Sequence, residues 1–142
     1  MSRGPVVAAA LAVALAVGVT PVPTADATPV MNGTYTASSP HGSTSWSIDS
    51  TCSQAGCFAH VVSAEGWSGE AQYAGRHWVL ELIGRSDGVR CADGTTAPAN
   101  VNWSWDGESL RGEVRVTHGA GCGNPPIPPG SLRDEFWLIK VD

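Results

Sequence analysis

A cysteine at each end of a four-residue turn constrains this chain more than any other feature. Residues 46–52 (WSIDSTC) and residues 57–62 (CFAHVV) have the composition of β-strands, and residues 53–56 (SQAG) form a turn between them. If the strands pair directly across the turn, Cys52 faces Cys57 at a Cα separation of about 4.5 to 5.5 Å, which suits a disulfide. The pattern therefore predicts a crosslinked β-hairpin.

The register of this hairpin assigns its two faces. With Cys52 opposite its partner cysteine, Ile48 lies opposite Val61 and Trp46 lies opposite Ser63 on the disulfide side. We expect this more apolar side to enter the core.

The four cysteines of the chain indicate two disulfides, for which three connectivities are possible. The hairpin geometry selects Cys52–Cys57, and this leaves Cys91–Cys122. A zinc site is disfavoured because the paired Cys-x2-Cys spacing is missing from the sequence. We expect two disulfides, no metal site and no cofactor.

The N-terminus has the pattern of a secretory signal peptide. Arg3 precedes an apolar run at residues 6–19, and the small residues Ala25-Asp26-Ala27 follow it. The run is shorter than the roughly 20 residues that a transmembrane helix needs, so we expect no stable membrane anchor. We predict a signal peptide at residues 1–27, with cleavage near Ala27, and a single disulfide-stabilised β domain at residues 28–142. The mature protein is then secreted, to the cell envelope or the extracellular space.

The charge balance bears on the partners of the domain. The formal net charge of −5 disfavours nucleic acid and anionic membranes, because both attract a basic surface. We expect a monomer whose partner is a ligand or a protein of the cell envelope.

Short strand-like runs separated by turn signals make up the rest of the chain. Outside the signal peptide no stretch has a sustained helical period. We count eight or nine strands, which predicts an all-β antiparallel meander, with a barrel favoured over a two-sheet sandwich. The apolar last strand, at residues 135–141, is long enough to pair with the first, at residues 34–37, and close the barrel.

Two local features of the second half are more specific. A loop at residues 106–109 pairs Trp105 with Leu110 and Trp103 with Gly112, so that an aromatic ring covers a glycine. Residues 89–91 are expected to form a separate, very short strand between two Asp-Gly turns.

Six tryptophans are a high count for a domain of this size. Burial in the core is the expected role of most, since tryptophan is usually largely buried and its N–H needs only one partner. Trp67 and Trp137 are the candidates for lining a ligand-binding groove, because the pattern constrains their strand partners least.

Acidic residues and one histidine form the only arrangement that suggests catalysis. Asp49 faces His60 in the predicted hairpin, as half of an acid/base relay or as a simple cross-strand polar pair. Glu65 and Glu70 flank Trp67, which fits either a glycosidase site or solubilising residues at a strand edge. No serine has a Gly-x-Ser-x-Gly setting, and we assign no catalytic residue.

The proline-rich loop at residues 122–130 is a different kind of candidate. A loop tethered at Cys122 and stiffened by proline loses little entropy on binding, and it carries the apolar residue Ile127. The alternative is a spacer that crosses one end of the barrel.

Several motifs together resemble a known group. They are residues 50–57 (STCSQAGC), 59–62 (AHVV), 66–69 (GWSG), 91–94 (CADG) and 105–107 (WDG). The chain resembles small secreted β-domain proteins of mycobacteria and related actinomycetes, which are similar in pattern to the extracytoplasmic domains of some membrane-anchored serine/threonine kinases. The resemblance implies an exported β domain and carries over no catalytic residues, and this chain departs from the kinase-linked form in lacking both kinase domain and membrane helix.

Three hypotheses for function follow. The leading one is a non-catalytic secreted domain that binds a ligand or protein partner. A hydrolase using Asp49, His60 or Glu65 requires a cleft that brings two of these residues together. An inhibitor-like module acting through the proline-rich loop requires a protruding Ile127.

Overall fold

The computed structural model of the protein describes residues 30–141 together with the isolated Gly18. Apart from Gly18, the predicted signal peptide and its cleavage point near Ala27 lie outside the described residues. The eight strands are β1 (Asn32–Ser39), β2 (Gly42–Ser53), β3 (Gly56–Ser63), β4 (Ser68–Ala74), β5 (His77–Arg90), β6 (Thr96–Asp106), β7 (Arg111–His118) and β8 (Gly130–Lys140). Within the described residues, no helix has the length and apolar character needed to cross a membrane.

The strands form one closed antiparallel barrel in which each pairs with its neighbours in sequence. β8 closes the barrel by pairing with β1, with Ile139 opposite Thr36 and Leu138 opposite Ala37. The predicted all-β barrel is confirmed, and the sandwich alternative is wrong. Closure leaves no unpaired sheet edge along the seam.

The crosslinked hairpin has the register that its cysteines predict. Cys52 pairs with Cys57, and Ile48 pairs with Val61 further along the same face. Gly56 permits the tight turn because its φ of 117° is strained for any residue with a side chain. The disulfide side of this hairpin points into the barrel, where Ile48 and Val61 are fully buried.

Alternating positions of the strands point into the barrel, and large apolar side chains fill much of its interior. Trp78, Trp105 and Leu80 have no exposed surface. The core also includes Tyr35, Ala37, Trp46, Ile48, Ala59, Val61, Trp67, Ala71, Val101, Trp103, Phe136 and Leu138. Aromatic residues bury the most area per residue, and this explains how so short a chain fills an eight-stranded barrel.

The two ends of the barrel differ. At the end that holds the β2–β3 turn, Met31 covers the core: its backbone N–H donates to Ser50 Oγ at 2.8 Å, and its Sδ accepts the Trp105 indole N–H at 3.1 Å. We call this the closed end. The opposite end carries the loops β1–β2, β3–β4, β5–β6 and β7–β8, and we call it the open end.

The β6–β7 hairpin differs from its predicted register by two residues. Trp105, rather than Trp103, lies opposite Gly112, because the loop spans residues 107–110. Asp106 causes the shift: its Oδ1 accepts the backbone N–H groups of Glu108 and Ser109, both at 2.8 Å. The ring carbon nearest to a Cβ at Gly112 belongs to Phe136, so the predicted cover by Trp103 is wrong.

The separate short strand expected at residues 89–91 does not exist. Residues 89 and 90 continue β5, which is fourteen residues long and shifts its register against β6 between Leu82 and Arg85 and again between Arg85 and Val89. Asp87 and Gly88 lie within the second irregularity, so their turn pattern does not end the strand.

Both predicted disulfides are present, as Cys52–Cys57 and Cys91–Cys122. The first closes the β2–β3 turn at the closed end, and the second ties the β5–β6 loop to the β7–β8 loop at the open end. Two disulfides in so small a domain suggest an oxidising, extracytoplasmic compartment.

Candidate functional site

A cavity of about 340 Å³ opens at the open end of the barrel. Aromatic residues and hydroxyl-bearing residues of the β1–β2 hairpin both line it. The aromatic lining residues are Trp46, Trp67, Trp103 and Phe136, and the hydroxyl residues are Ser38, Ser39, Ser43 and Thr44. Apolar walls with a few polar groups are typical of small-molecule sites.

Three tryptophans form the aromatic wall. Trp67 stacks on Trp103 with ring centroids 4.6 Å apart, and Trp46 meets Trp67 edge-on at 5.3 Å. Each such pair contributes about 0.5 to 1.5 kcal/mol beyond the area that it buries, so the wall is held in place by its own contacts. The cavity therefore has a rigid aromatic side.

Arg85, on β5, lies against the Trp67 ring of this wall. Its guanidinium carbon lies 5.6 Å from the centroid of the Trp67 ring. Two hydrogen bonds connect the guanidinium to the Asp87 carboxylate, at 2.6 and 3.2 Å. These hydrogen bonds and the positive charge of Arg85 lower the pKa of the Asp87 carboxyl. The bulged part of β5 thus holds a cation against Trp67.

The polar side of the cavity belongs to the β1–β2 hairpin and its neighbours at the rim. The backbone N–H of His41 donates to Ser39 Oγ at 3.2 Å, which shapes the turn. His41 Nε2 lies 3.2 Å from Asp134 Oδ2, across the seam between β1 and β8. Glu65, in the β3–β4 loop, completes the rim.

Two of the cavity tryptophans carry buried donors without a partner. The indole N–H groups of Trp46, Trp67 and Trp78 are buried and find no acceptor among the described residues. Trp46 and Trp67 are also 2% and 8% exposed, so their rings are largely enclosed. A buried donor without an acceptor costs about 1 to 3 kcal/mol, which makes such groups unusual in a folded domain.

The two tryptophans predicted to line a groove lie in different places. Trp67 belongs to the cavity wall. Trp137 lies on the outer surface of β8 and is 38% exposed, opposite Arg111 and Ser38. The structure does not bring these two residues together.

The proline-rich loop forms a second, smaller feature at the same end. Ile127 is half exposed and forms an isolated bridge with Gly121. It lines an apolar cavity of about 200 Å³ beside the Cys91–Cys122 disulfide, together with Leu132.

The acidic residues and the histidine do not form a cleft. Asp49 and His60 are cross-strand neighbours, as predicted, and Glu70 lies opposite His60 on the next strand. All three side chains are exposed on the outside of the barrel. Glu65 lies at the cavity rim instead. Within residues 30–141, no three His, Cys, Asp or Glu side chains are grouped so as to hold a metal ion.

Sequence reasoning placed Trp46 and Trp103 in the core and missed their part in a cavity. The signal lies in the inward-facing positions of β2, which change from Ile48 and Trp46 to Thr44 and Gly42 towards the β1–β2 loop. An inward face that turns polar along a strand indicates the end at which the core gives way to an opening.

No similarity to a known protein adds to what the geometry of the site shows. Comparison of the chain with protein-family models, curated proteins and solved structures returned no match.

Proposed function

We propose that this protein is a secreted, non-catalytic domain that binds a small ligand in the cavity at the open end of its barrel. The observation that carries the proposal is the cavity of about 340 Å³ walled by Trp46, Trp67 and Trp103. Small-molecule sites have volumes of about 300 to 1,000 Å³ and mostly apolar walls with a few polar groups.

The asymmetry between the two ends supports this proposal. The closed end is covered by Met31, which is 1% exposed. An eight-stranded barrel is just wide enough either to be filled by side chains or to hold one small ligand. Here side chains fill one end, and the other end is left for a ligand.

The proposed location combines the disulfides with the N-terminal sequence. Two disulfides suggest an extracytoplasmic compartment. The apolar run at residues 6–19 and the triplet that ends at Ala27 support export by a signal peptide and cleavage near Ala27. The ligand is then one found in the cell envelope or outside the cell.

The other two hypotheses have less support. For a hydrolase, Asp49 and His60 are neighbours on an exposed outer face, while Glu65 lies apart at the cavity rim. An inhibitor-like module requires a protruding Ile127. This residue is only half exposed and lines the smaller apolar cavity.

A cavity-filling variant tests the proposed function. Val114 lines the cavity, and Val114→Phe adds a ring there. Val62 is 44% exposed, and Val62→Phe adds the same ring outside. The readout is the set of indole N–H signals in ¹H–¹⁵N NMR spectra during titration with uncharged and charged six-membered-ring compounds.

We expect at least one compound to shift the signals of Trp46, Trp67 or Trp103 in the wild type and in Val62→Phe. The same compound should bind Val114→Phe at least about 10-fold more weakly, a loss of about 1.4 kcal/mol. Equal binding to both variants, or no shift with any compound, would contradict a site in this cavity.

A further inference from the structure

Two of the tryptophans that line the cavity have indole N–H groups without an acceptor in the part of the chain that the structure describes. Trp105, which is equally buried, donates its N–H to Met31 Sδ. By contrast, the N–H groups of Trp46 and Trp67 find no acceptor among the described residues, and both rings form part of the cavity wall. Trp78 also has an unpaired N–H, but its ring does not line the cavity. Two rings of the cavity wall therefore carry donors without an acceptor within residues 30–141, and both nitrogens lie beneath neighbouring atoms.

The charges around the cavity disfavour an anionic ligand. Among the described residues, the lining contains neither lysine nor arginine, and its titratable side chains are Glu65 and His41. The Asp134 carboxylate lies beside His41. A ligand carboxylate would therefore face the carboxylates of Glu65 and Asp134, which disfavours it. The nearby Arg85 guanidinium is already paired with Asp87.

The tryptophan faces do not form a cage for a cation. Trp67 already has Trp103 stacked on it at 4.6 Å and the Arg85 guanidinium at 5.6 Å. A second cation near the Trp67 ring would be repelled by Arg85. A neutral ligand avoids both the carboxylates and this guanidinium.

We propose that the cavity binds a neutral, ring-sized ligand that carries a hydrogen-bond acceptor such as a ketone, lactone or amide carbonyl, with the indole N–H of Trp46 or Trp67 as donor. This inference rests on the proposed function and specifies its ligand class. Both indole nitrogens are covered by neighbouring atoms, so binding includes a small movement of the ring or of its neighbours. Ser39, Ser43 and Thr44 also line the cavity, and their hydroxyl groups are further candidates for polar contacts with this ligand.

Four probes built on the same six-membered ring separate the ligand classes. Cyclohexanone carries the acceptor, methylenecyclohexane has the same shape without it, and cyclohexanecarboxylate and cyclohexylammonium carry a negative and a positive charge. Each is titrated into ¹⁵N-labelled protein, and indole N–H signals are assigned from Trp46→Phe, Trp67→Phe and Trp78→Phe. Phenylalanine keeps an aromatic ring and removes the N–H donor.

We expect cyclohexanone to move the indole N–H signal of Trp46 or Trp67 downfield, because hydrogen bonding deshields the proton. The ratio of cyclohexanone affinity to methylenecyclohexane affinity should fall about 3- to 10-fold in the variant that lacks the donor. Trp78→Phe should leave this ratio unchanged. If Trp46→Phe fails to fold, Trp67→Phe and the wild-type shifts at Trp46 carry the test.

Other outcomes contradict either the ligand class or the site itself. One such outcome is that methylenecyclohexane binds while the affinity ratio stays unchanged in both Trp46→Phe and Trp67→Phe. In that case a hydrogen-bond acceptor is not what the site recognises, although a ligand site remains. Tighter binding of the carboxylate or the ammonium than of the ketone also overturns the ligand class. If no probe shifts any cavity signal, both this inference and the proposed function are contradicted.

Discussion

Gly112 shows how a single position controls the packing of the barrel. A Cβ atom placed there would lie 2.5 Å from the Ser104 backbone oxygen and 2.7 Å from both the Trp105 Cβ and a ring carbon of Phe136. Trp105 and Phe136 belong to the core, so neither side chain has free space to move into.

Gly112→Ala should therefore destabilise the domain by about 1 to 3 kcal/mol, as overpacking of a core does. The measurement is urea unfolding followed by tryptophan fluorescence. Gly119→Ala is the matched control, because a Cβ at Gly119 meets nothing within 4 Å, and its effect should stay within about 0.5 kcal/mol. Equal stability of the two variants would contradict the packing described for Gly112.

At the same scale, the sequence predicted which tryptophans face inward but not how deep each lies. Alternation along β6 places Val101, Trp103 and Trp105 on the inner face, and all three are buried. Alternation says nothing about position along the barrel axis. Trp105 therefore lies beneath Met31 and Trp103 lines an opening, although the two residues have the same local pattern.

At the scale of elements, the β6–β7 turn depends on one carboxylate. The backbone N–H groups of Ser109 and Glu108 hold the pKa of the Asp106 carboxyl below its usual range. In the pH window between the lowered folded-state pKa and the ordinary value of about 3.9, the unfolded state binds more protons, so stability rises with pH. The contribution is complete above that window and is lost as the pH falls through the folded-state pKa.

Asp106→Ala should lower stability at neutral pH and remove this part of the acid-dependent loss. The measurement is thermal unfolding from about pH 2 to about pH 7. Glu108→Ala serves as the control because it keeps the backbone N–H that donates to Asp106. A variant curve parallel to that of the wild type throughout acid pH would show that Asp106 has no lowered pKa.

The two disulfides should differ in their effect on stability. They join residues separated by 5 and by 31 positions. On the chain-entropy account, the shorter loop contributes about 2 kcal/mol and the longer one nearly 4 kcal/mol. We expect the double variant Cys91→Ala/Cys122→Ala to lose more stability in urea than Cys52→Ala/Cys57→Ala. The reverse order would mean that the β2–β3 hairpin depends on its crosslink more than its loop length implies.

The register of a strand pair could be predicted where nearby residues in the sequence determine it. The cysteines and a four-residue turn determined the β2–β3 register, which is confirmed from Trp46 opposite Ser63 to Cys52 opposite Cys57. The β6–β7 register depended on which residues form the loop, and the side-chain hydrogen bonds of Asp106 decided this. The length of β5 depended on its pairing with β6, which no local pattern records.

At the scale of the whole molecule, the cavity results from closure of the barrel. Pairing of β8 with β1 brings Phe136 to the same opening as Trp46 and Trp67, which come from distant parts of the chain. Sequence reasoning predicted the closure, but the position of the opening depends on which end Met31 covers. That contact with Trp105 spans 74 positions in sequence and was not predictable from local patterns.

A crystal structure of the protein soaked with cyclohexanone tests the central claim most directly. We expect electron density for cyclohexanone beside Trp46, Trp67 and Trp103. Its carbonyl oxygen should lie within about 3.2 Å of an indole nitrogen. Density for the probe only outside the barrel, or a cavity filled by the protein's own side chains, would contradict a ligand site at the open end.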